Sequence, residues 1–149
     1  MRSVWLHLRS ASEEQVVNFL KHTYTRQKGP PWICDVRGDA CLYIDIDREM
    51  ELELEPELLA KLRKELKGGP TVSVVADVSG RHSGDKQVRE FVSALLSEFE
   101  GLAEDEFTDG FWTLDEILSR SRKPAGSGLS GRRKGHTFFD WRYAWHSKP

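Results

Sequence analysis

The stretch from Thr71 to Phe99 constrains the fold more strongly than any other part of the chain. Residues 71–78 alternate between apolar and polar side chains, which is typical of a β-strand, and a polar turn follows at residues 79–85. Apolar side chains then recur at the 3.6-residue period of a helix, at Val88, Phe91, Val92, Leu95, Leu96 and Phe99. The stretch therefore predicts a central strand followed by a helix that packs on the sheet.

The length and composition of the chain predict a single domain over residues 1–149. A chain of 149 residues can bury roughly two thirds of its unfolded surface in one core. No apolar run approaches the roughly 20 residues that a membrane span requires, and residues 1–8 lack the features of a secretory signal. We therefore expect a cytoplasmic protein that has no membrane partner. Cys34 and Cys41 are too few for a disulfide scaffold and are expected to be buried thiols.

Two strands around residues 37–39 are predicted to form a β-hairpin. A three-residue loop places six apolar residues on one face of the sheet, in the pairs Val36–Ala40, Cys34–Leu42 and Trp32–Ile44. A two-residue loop would instead bring Asp45 onto that face. The three-residue loop is therefore the prediction, and it puts Cys34 and Cys41 on opposite faces.

The segment from Glu49 to Glu55 alternates strictly between glutamates and apolar residues. This alternation predicts extended structure with Glu49, Glu51, Glu53 and Glu55 in one row. Like charges in a row repel each other, so we expect an edge strand that is exposed to water. Pro56 then suits the first turn of a helix, and the glycines from Gly68 suit its end.

The remaining segments complete the predicted order of elements. Alternating residues 4–8 predict a first strand, and capping-box patterns at Ser12 and Thr113 predict the starts of two helices. Residues 120–135 are rich in Gly, Ser, Lys and Arg and predict a flexible basic loop. Residues 136–146 are strand-like and aromatic, so we expect a C-terminal strand that packs back on the sheet.

This order predicts an α+β fold. The first six elements follow the βαββαβ order of a ferredoxin-like domain, which has an antiparallel sheet with helices on one face. An extra helix and the C-terminal aromatic strand would be added to it. The sheet face away from the helices would carry Trp5, His7, Arg9, Ile33, Asp35, Tyr43, Ser73, Val75 and Asp77.

The net charge of −2 hides an uneven distribution of charge along the chain. Residues 45–57 contain seven acidic residues and one arginine, and residues 98–116 contain eight acidic residues and no lysine or arginine. Such blocks are typical of solvated surface, and an acidic face also suits a basic partner. The candidate partner-binding residues are Glu49, Glu51, Glu53, Glu55, Glu104, Asp105, Glu106 and Asp109.

The turn at residues 79–85 is a candidate anion site. Backbone N–H groups at the start of the following helix, together with Arg81 and His82, could hold an anion. The same residues also fit a structural turn, in which Ser83 or Asp85 caps the helix and Arg81 pairs with an acid. The spacing of the glycines matches neither a Walker loop nor a dinucleotide-binding motif.

No metal, cofactor or catalytic residue is predicted. Asp35, Asp45, Asp77 and His82 could converge across neighbouring strands, but nothing in their spacing requires it. The histidines and cysteines form no paired-ligand motif, and the serines near His82 lie in no nucleophile elbow. We therefore expect a protein that is not an enzyme, with a small hydrolase as a less favoured alternative.

A nucleic-acid-binding module is the main alternative. Trp5 and Tyr43 on an open sheet face could stack on bases while the basic loop contacts phosphates. The net acidity argues against this interpretation, and residues 40–47 lack the aromatic and glycine pattern of an RNA-recognition strand. Nucleic acid is therefore not the partner that the sequence favours.

Three motifs between residues 30 and 118 carry a resemblance to a known class of proteins. They are Gly38-Asp39-Ala40-Cys41-Leu42-Tyr43-Ile44, then Asp77-Val78-Ser79-Gly80-Arg81 with Gly84 and Val88-Arg89, and Trp112-Thr113-Leu114-Asp115-Glu116-Ile117. With them the chain resembles small cytoplasmic immunity proteins encoded beside bacterial polymorphic or contact-dependent toxins. The resemblance implies a non-enzymatic inhibitor that binds one cognate toxin, often by occluding its active site. Many such toxins are basic nucleases, and an acidic surface would speed association with them.

Overall fold

The computed structural model describes residues 2–108, 110–123 and 137–140. Within these residues the chain forms an α+β domain, in which five helices accompany one antiparallel sheet of five strands. Across the same residues, no helix combines the length and the apolar character needed to cross a membrane.

The first strand and helix form where their patterns predict them. β1 (Arg2–Leu8) buries its alternate apolar side chains, and α1 (Glu13–Thr23) packs over them. The helix begins at a capping box, in which Ser12 Oγ accepts the Gln15 N–H and Gln15 Oε1 accepts the Ser12 N–H. Two N–H groups at the helix start are thus satisfied by side chains.

The hairpin of β2 (Trp32–Val36) and β3 (Asp39–Ile46) follows the predicted register only in part. The pairs Trp32–Ile44 and Cys34–Leu42 are present as predicted. Beyond Cys34 the register shifts, so that Val36 pairs with Asp39 and the loop has two residues. The predicted three-residue loop is therefore wrong.

A β-bulge explains this difference. The shift between Cys34 and Asp35 absorbs one residue of β3, so a two-residue turn no longer forces Asp45 onto the apolar face. Arg37 and Gly38 form the turn with φ of 51° and 79°, the left-handed pair that a type I′ hairpin turn requires. Both cysteines are free thiols: Cys41 is buried as predicted, whereas Cys34 is only half-buried.

The glutamate-rich segment after β3 does not form the predicted edge strand. It forms a short helix, α2 (Met50–Glu53), which is followed by α3 (Pro56–Leu66). Met50 and Leu54 are four residues apart, so one helical turn places both toward the same apolar cluster. Leu52 lies on the other side of that turn and is 87% exposed.

The stretch from Thr71 to Phe99 forms the predicted strand and helix. It leads into a strand that was not predicted. β4 (Val72–Val78) is followed by α4 (Asp85–Glu98), whose apolar stripe is buried. The acidic segment after it begins with β5 (Gly101–Asp105), which pairs with β1. Since β4 and β5 both run antiparallel to β1, they are parallel to each other, and α4 is the crossover between them.

The strand order β2-β3-β4-β1-β5 differs from the predicted ferredoxin-like order. In a ferredoxin-like sheet β1 would lie beside β3, whereas here β4 lies between them. The position outside β1, which β4 would have occupied, is taken by β5. The α+β class and the antiparallel sheet are confirmed, and the ferredoxin-like topology is not.

Helices lie against both faces of the sheet, not against one face as predicted. α1 and α4 cover the main core, which is built on Val4, Leu6, Val74 and their neighbours. On the other face, α2 and α3 contribute to a smaller apolar cluster of Met50, Leu62, Leu66, Leu102 and Phe111. The second face is therefore partly covered at its β1–β5 end.

The described C-terminal residues add one helix and a turn. α5 (Leu114–Leu118) begins at the predicted capping box between Thr113 and Glu116. Phe138 and Phe139 lie in a turn and are buried, so the predicted C-terminal strand is not present at these two residues. Residues 136 and 141–146 of that strand, and residues 124–135 of the predicted loop, lie outside the described residues.

Candidate functional site

The sheet face away from α1 and α4, which we call the open face, holds the candidate site. Strand pairing aligns its side chains in rows across the sheet, and one such row is Glu104, Trp5, Val75 and Asp45. Trp5 and Val75 are only half-buried in this row. Tyr43 and Asp77 pair in the next row and are also half-buried. The open face therefore mixes accessible aromatic and aliphatic groups with carboxylates.

Two acidic segments that are distant in the sequence meet on this face around Trp5. A cleft of about 200 Å³, which we call the Trp5 groove, is lined by Trp5, His7, Asp47, Met50, Glu53, Leu54 and Glu104. A second cleft of about 310 Å³ is lined by Trp5, Leu58, Glu104, Asp105, Glu106, Thr108 and Gly110. Trp5 and Glu104 belong to both clefts, so they form the ridge between them. The fold thus brings Glu53 of α2 and Glu104 of β5 into the lining of one groove.

The four predicted glutamates of the first segment lie in α2 or next to it, and all are exposed. Glu49 precedes the helix, where its N–H donates to Asp47 Oδ1 at 3.0 Å. Glu51 Oε1 lies 3.7 Å from Arg63 Nη2, a loose surface ion pair. Together with the exposed Leu52 they give this end of the molecule an acidic surface with an apolar side chain at its centre.

Sequence reasoning missed a buried chain of polar groups, Ser73–His7–Glu104, beneath the Trp5 groove. His7 is 0% exposed, with Nδ1 2.9 Å from Ser73 Oγ and Nε2 3.0 Å from Glu104 Oε2. Its ring also meets the Phe111 ring edge to face at 5.7 Å. All three polar residues lie on strands and face the same side, but only the strand order reveals that they are neighbours.

These three groups have the residue types of a hydrolytic triad but not its accessibility. Ser73 is 4% exposed and lies in the middle of β4, where its carbonyl accepts the Asp47 N–H. A nucleophile has to reach substrate, and this residue is almost fully buried. The arrangement is that of a satisfied buried histidine which orients the Glu104 carboxylate.

Asp105 faces the opposite side of β5 from Glu104 and is not part of an accessible acidic surface. It is 3% exposed, and it accepts hydrogen bonds from the Phe107, Thr108 and Phe139 N–H groups and from Thr108 Oγ1. Burial raises the pKa of this carboxyl, and the hydrogen bonds oppose that rise. Asp105 therefore has a structural role: its carboxylate accepts the N–H groups of the turn that follows β5.

Glu106 is exposed and remains a candidate for partner binding. Its Oε1 accepts the Ser3 N–H at 3.0 Å, which ties it to the edge of β1. Partial burial raises the pKa of its carboxyl. Asp109, the last of the predicted acidic residues, lies outside the described residues.

Arg81 and His82 of the predicted anion site are both engaged by one carboxylate. Asp39 accepts two hydrogen bonds of 3.0 Å from Arg81, through Nε and Nη2, and its Oδ2 lies 2.7 Å from His82 Nε2. Hydrogen bonds from Arg81 and then His82 lower the pKa of Asp39 to about 2. This confirms the predicted pairing of Arg81 with an acid.

The rest of the turn is held by a second arginine. Arg2 Nη1 donates to Ser83 O at 2.6 Å, and Nη2 donates to the carbonyls of Ser79 and His82. The predicted side-chain cap from Ser83 or Asp85 is absent, since Gly84 occupies the N-cap position of α4. These contacts make the turn a structural junction between β1, β3 and α4.

Most of the side chains that could have formed a metal site have protein partners instead. Asp77 Oδ1 accepts from Ser3 Oγ at 2.5 Å, Asp35 pairs with Arg26 at 2.5 Å, and His82 is held by Asp39, while Asp45 lies in the row beside that of Asp77. Over residues 2–108, 110–123 and 137–140, no three acidic, histidine or cysteine side chains cluster in a way that could hold a metal ion.

The chain was compared with known proteins at the levels of family, sequence and structure. No family model matches it, no curated protein matches its sequence, and no solved structure matches its fold. Its function is therefore inferred from the geometry of the open face and from the residues described above.

Proposed function

We propose that the chain is a cytoplasmic immunity protein, without enzymatic activity, that binds and neutralises a cognate bacterial toxin through its acidic surface. The observation that carries this proposal is the meeting of two acidic segments around Trp5, where Glu53 and Glu104 line one groove. The resemblance carried by residues 38–44, 77–89 and 112–117 names the class of partner. The acidic surface indicates that this partner is basic.

The proposed surface has the components of a protein-binding site. A half-buried tryptophan at the ridge and the exposed Leu52 supply the apolar contacts that dominate binding free energy. The glutamates around α2 supply long-range attraction, which speeds encounter with a basic protein and favours one orientation. A toxin that contacts nucleic acid with a basic active site would be occluded by such a surface.

The alternative of nucleic-acid binding is less well supported. Trp5 and Tyr43 are accessible on the open face, as stacking requires. The same face carries Asp45, Asp77 and Glu104, however, and carboxylates at these positions would repel a phosphate backbone.

Co-expression with the product of the adjacent gene tests the proposal directly. We expect the chain to protect the host cell from that protein and to form a complex with it on purification. The double variant Glu51→Lys/Glu53→Lys should weaken the complex about tenfold or more at low salt and flatten its salt dependence. The matched variant Glu14→Lys/Glu98→Lys carries the same charge change on the helices of the other face and should retain binding. An unprotected host, or equal affinity for both variants, would contradict the proposal.

A further inference from the structure

The Trp5 groove has apolar walls suited to a long aliphatic group. Met50 is buried at its base, and Leu54 packs beside it in the smaller apolar cluster. The Trp5 side chain borders the groove from β1 and remains half-buried. Methylene groups that entered would therefore leave water for contact with these three side chains.

The polar part of the same lining is acidic. It comprises Asp47, Glu53 and Glu104 together with His7, and it contains no lysine or arginine. Glu53 is exposed and forms no ion pair within the described part of the chain. Glu104 is held in place by His7 Nε2 at 3.0 Å and is largely shielded, with 19% of its side chain exposed. A cation here would meet carboxylates and an indole ring at once.

The second cleft around Trp5 is less suited to a cation. It shares Trp5 and Glu104 with the groove, but the Lys61 ammonium lies beside Gly110 at its margin. That ammonium would repel a second positive charge. The two clefts therefore differ in charge although they share a wall.

We propose that the Trp5 groove receives one lysine or arginine side chain of the basic partner protein. This inference rests on the proposed function, because it names the contact by which that partner is recognised. The aliphatic stem lies along Met50 and Leu54, and the charged head lies between Glu53, Glu104 and the Trp5 ring. An uncharged side chain of the same shape gains the apolar contacts alone, so charge sets the specificity.

The groove can be tested without the partner, using small probes on the full chain. N-acetyl-lysine amide and N-acetyl-arginine amide are the cationic probes, and N-acetyl-norleucine amide and N-acetyl-citrulline amide are their uncharged counterparts. Titration at constant ionic strength is followed by NMR through the Trp5 indole N–H and the backbone amides of Leu54 and Glu104. We expect a saturating shift of these signals with one or both cationic probes. Shifts of equal size with the uncharged counterparts, or no shift with any probe, would overturn the inference.

Variants locate the binding site of the probe. Glu53→Gln and Trp5→Leu should each weaken binding of the cationic probe about two- to fivefold, as expected for one exposed ion pair or one cation–π contact. Glu51→Gln changes the neighbouring glutamate of α2, which lies outside the groove, and should leave the probe affinity unchanged. Glu53 is exposed, so Glu53→Gln keeps the test valid if Trp5→Leu fails to fold. Equal affinity for Glu53→Gln and Glu51→Gln would place the cation elsewhere.

Failure of this inference and failure of the proposed function are distinguishable. If the chain protects the host but the groove binds charged and uncharged probes equally, the proposed function stands and the assignment of the groove is wrong. If the groove selects cationic probes but the chain neutralises no toxin, the site stands and its partner belongs to another class of basic protein.

Discussion

Asp105 Oδ2 accepts the Phe139 N–H at 2.8 Å and so joins β5 to a segment 34 residues further along the chain. The other oxygen accepts the Phe107 and Thr108 N–H groups and the Thr108 hydroxyl. Trp112 Nε1 donates in turn to Thr108 Oγ1 at 3.0 Å. One buried carboxylate therefore links β5 to the turn at residues 107–108 and to Phe139.

Replacing Asp105 with alanine should lower the free energy of unfolding by about 2–4 kcal/mol, because buried N–H groups would lose their acceptor. Urea denaturation monitored by tryptophan fluorescence measures the change. Glu100→Ala is the matched control: this glutamate follows α4 on the surface, and its loss should change stability by less than about 0.5 kcal/mol. Similar unfolding midpoints for the two variants would show that Asp105 is not a structural centre.

Asp39 should titrate near pH 2, because Arg81 and His82 stabilise its charged form. A folded-state pKa below the ordinary value of 3.8 means that the contribution to stability is present above that value. The contribution is lost as the pH falls through the folded-state pKa of about 2. NMR titration of the carboxyl carbon measures this pKa directly.

The variant Arg81→Gln should return the pKa of Asp39 toward its ordinary value, since it removes the two charged hydrogen bonds. Arg48→Gln removes an arginine that pairs with Glu13 instead, and should leave Asp39 unchanged. If both variants gave the same Asp39 pKa, the pairing with Arg81 would not be its cause.

The local patterns in the sequence predicted most elements. They failed where the apolar residues fit both the two-residue period of a strand and the 3.6-residue period of a helix. Met50, Leu52 and Leu54 alternate as in a strand, yet the first and last are also one helical turn apart. The two alternatives, strand and helix, differ in whether Leu52 is buried with Met50 and Leu54 or exposed. That exposure depends on the fold and is not visible in the local sequence. β5 was missed for another reason. Two of its five residues are acidic and none has a β-branched side chain, so its composition is not typical of a strand.

The sequence identified most residues of the candidate site, but it did not predict which of them lie close together. Charge alone identified Glu53 and Glu104, but their meeting depends on β5 lying beside β1. Asp105 was grouped with its neighbours by charge, although strand alternation turns it to the other face. Ser73 joins His7 through the pairing of β1 with β4, but only the observed register places the two residues opposite each other.

Ser73→Ala distinguishes a structural from a catalytic role for the buried chain of polar groups. The substitution leaves His7 Nδ1 without its partner at 2.9 Å, so we expect a loss of about 1–2 kcal/mol in unfolding free energy. Ser97→Ala, at an exposed helical position, is the control and should be nearly neutral. Ester hydrolysis by the wild type that disappeared in Ser73→Ala would instead favour the hydrolase alternative.

Arg37→Asn should stabilise the protein by about 0.5–1 kcal/mol. Arg37 has a φ of 51° in the turn between β2 and β3, and a left-handed backbone is costly for an ordinary L-residue because its Cβ crowds the following carbonyl oxygen. Asparagine adopts this conformation more readily, and Asn-Gly is a preferred pair for a type I′ turn. Arg37→Ala removes the same side chain without relieving the backbone, so it separates the two effects. Thermal unfolding should rank Asn above both arginine and alanine; equal midpoints for Asn and Ala would show that the turn conformation is not limiting.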